Sequence, residues 1–267
     1  MLYRPLFWTS YWCEDWIHSS NYRAGVSRIL ISSASSKTAF CLAYLIRKRI
    51  RSGEISRNTK IIGLTSKGNV DFTKRLALYH EVLEYDSFTS AHSFQGAKDS
   101  RWLYVDVAGN QNLNKRIRAH FASPYTGKLA ANIALGFTNL QPSTTDTTPK
   151  KLGTNPFNVS EGSTSDPNTY STSAFWPQEE FFFMPEWLDI RRHKIPVLEI
   201  FRRQNQAWKE LMEDCTNWVE LKRVYGATGV EEAYRKLSKG GLGPDKGLIW
   251  SLWDGDTTKL LPLPSKL

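Results

Sequence analysis

Between Arg28 and Leu135 short apolar runs alternate with stretches of helical periodicity, and this alternation constrains the fold more than any other feature of the chain. The runs are Ser27–Ser32, Lys60–Leu64, Glu81–Tyr85, Trp102–Val107 and Lys128–Leu135. From Thr38 to Ile50, Ala39, Leu42, Ala43, Leu45, Ile46 and Ile50 recur at helical spacing, and basic residues gather in the last turn, where the helix dipole favours them. Gly53 closes that unit, and further helices are predicted over residues 70–78 and 111–121. Strands that are apolar along their whole length must be covered on both faces, which is the property of parallel sheets. The pattern therefore predicts an α/β protein: a Rossmann-type doubly wound parallel sheet over residues 25–139, with helices on both faces.

The flanking segments read differently. Residues 1–24 form an aromatic lead-in carrying Tyr3, Phe7, Trp8, Tyr11, Trp12 and Trp16. Three roles stay open for these rings: covering an exposed face, pairing with a second copy as a homodimer, or holding a planar apolar substrate. Residues 140–172 are rich in Ser, Thr, Asn, Pro and Gly, with little to bury, and are expected to form a flexible polar loop. Beyond it, residues 173–267 are expected to supply a C-terminal helical segment and a final strand that complete the domain. Phe181-Phe182-Phe183-Met184 is too apolar to be left in water, and Trp208, Leu211, Met212, Cys215, Trp218 and Val219 form a helical stripe better read as core than as a ligand box. Thr228-Gly229-Val230-Glu231 is a capping box opening a helix to about Leu237, and Gly247–Leu252 is the last strand expected.

Composition narrows the function classes. Apolar residues at 40% and aromatics at 13% can build a core. No apolar stretch reaches the roughly 18 residues of a membrane span, and no leader pattern opens the chain. The cysteines Cys13, Cys41 and Cys215 lack C-x-x-C spacing, so neither a disulfide framework nor a structural zinc is indicated, and a reduced, cytoplasmic setting is expected. The net charge of +9 suits an anionic ligand, but its densest clusters (Arg47–Arg51, Lys115–Arg118, Arg191–Lys194) read as solvated helix ends. No RNP-type motif accompanies them, so the expected partner is a small molecule and not a nucleic acid or a membrane. The histidines show no metal-ligand spacing, no metal is expected, and no Ser/His/Asp or Cys/His arrangement is visible.

In a Rossmann domain the pyrophosphate of a dinucleotide sits where the first strand turns into the first helix, because helix N-terminal amides attract anions and small residues admit the ligand. That turn here is Ser32-Ser33-Ala34-Ser35-Ser36-Lys37-Thr38-Ala39. The usual glycines are absent. Ser33, Ser36 and Ala39 hold the spaced small positions, and Ser33, Ser35, Ser36, Lys37 and Thr38 could bond phosphate directly. The competing reading is that the serines only cap the helix. A P-loop is disfavoured because its first glycine is missing. At the end of the second strand, Leu64-Thr65-Ser66-Lys67 offers no acid for an adenosine ribose, while Thr65, Ser66 and Lys67 suit a 2′-phosphate, so NADP is favoured over NAD. Asp106 and Gly109 end the fourth strand on the carboxyl edge of the sheet, where ligands of open α/β folds bind; Asp106 reads equally as a turn residue.

Together, Ile31–Ala39, Gly63–Asn69, Leu78-Tyr79-His80-Glu81-Val82, Val105–Gly109, Phe181–Pro185 and Glu232-Ala233-Tyr234-Arg235 resemble an uncharacterised family of bacteria and fungi, a zinc-free, quinone-oxidoreductase-like branch of the medium-chain dehydrogenase/reductase superfamily. The resemblance implies an NADP-dependent, zinc-independent reductase of an enone or quinone type small molecule, with secondary metabolism as its setting. It also places Lys67 and Tyr85 where a lysine and a tyrosine reach the 2′-phosphate. Family members usually carry glycine at Ala77 and aspartate at His80, which implies relaxed constraint around the third strand. The superfamily sets a GroES-like β domain of roughly a hundred residues ahead of the Rossmann domain. Only residues 1–23 stand there in this sequence, so a Rossmann half without that domain is expected. Since part of the substrate cleft comes from that domain, a non-catalytic relative acting through binding is the main alternative, and a lyase or isomerase on the same fold is another.

Overall fold

The computed structural model describes residues 3–95, 98–123, 125–135, 177–253 and 255. The predicted polar loop of residues 140–172 lies outside them. The chain divides into two compact units, Pro5–Ile200 and a smaller one made of Met1–Arg4 with Phe201–Leu267.

The larger unit begins with helix α1 (Arg4–Ser19), where the sequence pattern predicts only an aromatic lead-in. Phe7, Trp12, Cys13 and Ile17 form its buried stripe. The Ser10 hydroxyl donates to the Thr38 carbonyl at 2.8 Å, and Arg49 Nε donates to Glu14 Oε1 at 2.6 Å, joining α1 to the helix that contains Thr38 and Arg49. Of the lead-in aromatics Tyr3, Phe7 and Trp12 are buried, while Trp8, Tyr11 and Trp16 are half-buried, Trp16 lying 5.3 Å from the Phe182 ring.

After α1 the chain makes a left-handed turn, α2 (Asn21–Gly25), with φ of 49° at Asn21, 48° at Tyr22, 54° at Arg23 and 64° at Ala24. Each such residue costs roughly 1–2 kcal/mol, and consecutive ones are rare because the side chain crowds the following carbonyl. The turn persists because its neighbours fix it from several sides. Tyr22 donates its hydroxyl to buried Glu14, Arg23 pairs with Glu180 at 2.6 Å and lies over Trp16, and Arg101 donates to the Arg23 carbonyl at 3.0 Å. Burial pushes the Glu14 carboxyl up, while Arg49 and the Tyr22 hydroxyl pull it down.

Strands β1 (Arg28–Ile31), β2 (Lys60–Thr65), β3 (Glu81–Glu84), β4 (Arg101–Asp106), β5 (Lys128–Ala134) and β6 (Glu179–Phe181) form one six-stranded sheet in the order β3-β2-β1-β4-β5-β6, and every pair is parallel. This is the doubly wound Rossmann order, which reverses between β1 and β4. Alternate side chains fall on opposite faces. Leu30, Ile62, Leu64, Trp102 and Tyr104 join Leu113, Ile117 and Phe121 of helix α5 (Gln111–Phe121) in one core cluster. Ile29, Ile31, Ile61, Leu103 and Val105 point the other way and are equally buried.

Helix α3 (Lys37–Ser52) is capped by Ser36 and stops at Gly53, whose φ of 81° suits only glycine well. Helix α4 (Val70–Arg75) ends earlier than its pattern predicts, because Ala77 adopts a φ of 55°. His80 then donates its N–H to the Ile61 carbonyl at 2.8 Å and accepts the Ile61 N–H on Nδ1 at 2.9 Å. Ala77 and His80, the two departures from the family's usual residues, are thus both held in demanding geometry. Helix α6 (Met184–Arg192) follows β6, with Pro185 in its first turn. Trp187 and Arg191 anchor it to Asp15 of α1.

Helix α7 (Val197–Asp214), which lies in the smaller unit from Phe201 on, ends before the predicted stripe does. Glu220–Tyr225 is instead strand β7, parallel to β8 (Lys246–Ser251). The helix between them, α8 (Ala227–Gly240), takes Gly226 as its N-cap, not Thr228. The last strand thus pairs within its own two-stranded sheet and not with the six-stranded one.

Candidate functional site

The β1–α3 and β4–α5 turns meet at the carboxyl edge of the sheet, on either side of the point where the strand order reverses. β1 and β4 are in register from Arg28↔Trp102 to Ile31↔Val105, which sets Ser32 beside Asp106. Ser32 donates its hydroxyl to Asp106 Oδ1 at 2.8 Å and accepts the N–H groups of Val107 and Ala108 at 2.8 and 3.0 Å. The same carboxyl oxygen accepts the N–H groups of Ala108 and Gly109, both at 3.0 Å. Asp106 Oδ2 accepts the Asn114 side-chain amide at 2.6 Å, and Asn114 Oδ1 accepts the Tyr104 hydroxyl at 2.7 Å. Asp106 is 3% exposed, so four donors from three segments converge on one buried carboxyl. Burial raises the Tyr104 phenol far above its ordinary range, with Asp106 adding to the effect. It is a neutral donor in this network.

On the β1 side, Ser33 carries a φ of 51°, the conformation a glycine would hold at no steric cost. Ala34 is fully buried, its N–H donating to the Leu64 carbonyl at 2.9 Å and its carbonyl accepting the Tyr79 hydroxyl at 2.9 Å. A Cβ on Gly63 would sit 2.7 Å from Ala34 Cβ and 2.9 Å from Tyr79 Cδ1. The close approach that a glycine-rich turn usually supplies is supplied here from β2. Ser36 accepts the Ala39 N–H at 3.3 Å, so the capping role open to these serines is filled by this one.

Ser35 joins the turn to the end of β2. It contacts the Thr65 hydroxyl at 3.1 Å and accepts the Asn69 amide at 3.2 Å. Tyr85, just past β3, reaches back across β2, and its hydroxyl accepts the Ser33 N–H at 3.1 Å. Ser33 with Tyr85, Ser35 with Thr65, and Asp106 with Gly109 are therefore brought together as bonded pairs along one edge of the sheet. Lys37 and Thr38 open α3 next to them and are half-buried. Ser66 and Lys67 stand exposed at the short 3-10 turn Lys67–Asn69. Sequence reasoning missed Ser32, Asn69, Tyr104 and Asn114. Of these only Asn114 carried a local signal, as an amide on the apolar face of α5 beside Leu113 and Ile117.

A cavity of about 560 Å³ lies elsewhere, lined by residues from Asn21 to Ser27 and from Gly53 to Thr59 at the amino ends of β1 and β2. It shares no residue with the switch point. Among the described residues no three His, Cys, Asp or Glu side chains gather as metal ligands would, and no helix is long and apolar enough to cross a membrane.

The fold and this site define a Rossmann-type α/β protein. The chain belongs to the family described as "Protein of unknown function (DUF2855)", whose model matches residues 1–243. No curated protein matches the sequence. Among solved structures, the chain is similar to the yhdH oxidoreductase from Salmonella enterica in complex with NADP, at 11% identity and a TM-score of 0.46, over 91% of this chain and 60% of that one. For YhdH of E. coli K-12 with bound NADPH the values are 12% and 0.43, over 90% and 61%. For the CurK enoyl reductase they are 10% and 0.37, over 92% and 60%. The chain thus spans about 60% of the length of these solved proteins.

Proposed function

We propose that this chain binds NADP(H) across the β1–β4 switch point and serves the zinc-independent reduction of an enone or quinone type small molecule. The observation that carries the reading is the clasped pair of turns: Ser32 and Asp106 hold the β1–α3 and β4–α5 segments together where open α/β sheets take their ligands. In this reading Ser33, Ser35, Ser36, Lys37 and Thr38 receive the pyrophosphate at the start of α3, where amides and dipole favour an anion. Ser66 and Lys67 receive the 2′-phosphate, with buried Thr65 holding Ser35 behind them and Tyr85 beside them, and Asp106 and Gly109 border the nicotinamide side.

The residues fit such a cofactor in two respects. The side chains that line the turn are small, and the β2 end offers the exposed Ser66 and Lys67 in place of an acid, with Thr65 buried behind them and its hydroxyl donated to Ser35. When bound, the cofactor would supply hydride from C4 of its nicotinamide; the share of the protein is orientation and exclusion of water.

The test is spectrophotometric. Purified chain with NADPH and a panel of enones and quinones should show substrate-dependent loss of the nicotinamide absorbance. Binding without consumption would favour the second reading, a relative that acts through binding alone, for which the glycine-free turn speaks. Product formed with no NADPH consumed would point to a lyase or isomerase.

A further inference from the structure

The Ser33 N–H lies in the turn between β1 and α3, and it is held by a side chain from just beyond β3. Three neighbouring amides are committed otherwise: Ala34 N–H to the Leu64 carbonyl, Ser36 N–H to the Ser33 carbonyl, and Ala39 N–H to the Ser36 cap. Tyr85 starts from the far side of β2, where its own N–H donates to the Thr65 carbonyl at 3.0 Å. Its ring packs against the core cluster that contains Leu64 and Tyr104, and its hydroxyl meets both the N–H and the hydroxyl of Ser33. The phenol therefore crosses the carboxyl end of β2, between the turn that would take a pyrophosphate and the residues that would take a 2′-phosphate.

We propose that Tyr85 is a built-in occupant of the dinucleotide site: its hydroxyl holds the Ser33 N–H in the free protein and must release it before a phosphate oxygen can take that amide. The inference rests on the proposed dinucleotide site. It differs from a direct contact between Tyr85 and the 2′-phosphate, because an occupant lowers affinity and a contact raises it. The exchange is feasible on three grounds. A neutral N–H to phenol bond is weaker than a charge-assisted one to phosphate, so phosphate wins the amide. Tyr85 is only partly buried, and Asp86 and Ser87 after it are exposed, so the side chain has room to swing. Burial raises the phenol above its ordinary value, with Asp106 contributing to the rise, so at neutral pH the amide loses a neutral partner and no charge is stranded.

The Tyr85→Phe variant keeps the ring on the core and removes only the hydroxyl. Calorimetric titration should show NADPH and NADH binding tighter by the same factor, about two- to tenfold, the worth of one neutral hydrogen bond. Weaker binding, unchanged binding, or a loss confined to NADPH would overturn the proposal while leaving the dinucleotide site standing. Binding of neither cofactor by wild type and variant alike would instead sink the site itself, and the proposal with it. Amide exchange gives a second readout that needs no ligand. The Ser33 N–H should exchange more slowly in the wild-type chain than in Tyr85→Phe, and equal rates would show that the hydroxyl holds nothing.

Discussion

Replacing Asp106 by alanine should be among the most damaging single changes at the carboxyl edge of the sheet. The carboxyl accepts from Ser32, Ala108, Gly109 and Asn114. Ala108 and Gly109 are half-exposed, so water can replace their partner at little cost. Ser32 and Asn114 are buried, at 0% and 7% exposure, and the donors they aim at the carboxyl would be stranded. A buried polar group left without a partner costs about 1–3 kcal/mol, so two such groups put the loss at about 2–6 kcal/mol. In the Asp106→Asn variant the new side-chain carbonyl can still accept from Ser32 and the turn amides, and a flip of the Asn114 amide meets the new NH2 but leaves the buried Tyr104 hydroxyl proton without its acceptor. That variant should therefore lose less than Asp106→Ala, about 1–3 kcal/mol, the cost of one stranded group. Urea unfolding followed by far-UV circular dichroism measures both, the m-value serving to check that the unfolded state is unchanged. A loss below about 1 kcal/mol for Asp106→Ala, less than the smallest cost of one stranded group, would refute the view that this carboxyl clasps the two turns.

Other positions give independent checks. Gly63→Ala drives a methyl group into Ala34 and Tyr79 and should destabilise by about 1–3 kcal/mol, read as a lowered urea midpoint. Ala77→Gly relieves a φ of 55° and should stabilise, by up to about 1 kcal/mol once the greater entropy of unfolded glycine is subtracted, read as a raised melting temperature. His80 must stay neutral at Nδ1 to accept the Ile61 N–H, and burial lowers its pKa below 6.5. Its contribution is therefore complete above about pH 6.5 and lost as the pH falls through that value toward the folded pKa. Stability should drop over that window in the wild type, modestly because solvent reaches the ring, and the His80-dependent part of the slope should vanish in His80→Asn.

Much of the sheet was legible because parallel strands covered on both faces must be apolar throughout, and β1, β2, β4 and β5 obey that rule. β6 escaped notice since Glu179-Glu180-Phe181 is a three-residue edge strand with two acids, recruited by β5 and by the Arg23–Glu180 pair. β7 carries no expectation in the sequence, because its strand character comes from pairing with β8, and local periodicity holds no trace of that distant partner. The N-terminal helix was hidden by its aromatic content, although Phe7, Cys13 and Ile17 keep helical spacing. At the site, the turn and Asp106 could be read from strand ends, whereas Tyr85 entered only through the family resemblance. Ser32 could not, for nothing local separates it from the serines that follow; its role arises only when the β1–β4 register sets it beside Asp106.

The central claim is the dinucleotide site, and calorimetric titration of the purified chain with NADPH and NADH, beside a Lys37→Ala, Lys67→Ala double variant, tests it most directly. The account predicts that NADPH binds more tightly than NADH and that the double variant loses most of that binding. A folded chain that binds neither cofactor, or that binds both unchanged by loss of the two lysines, would contradict it.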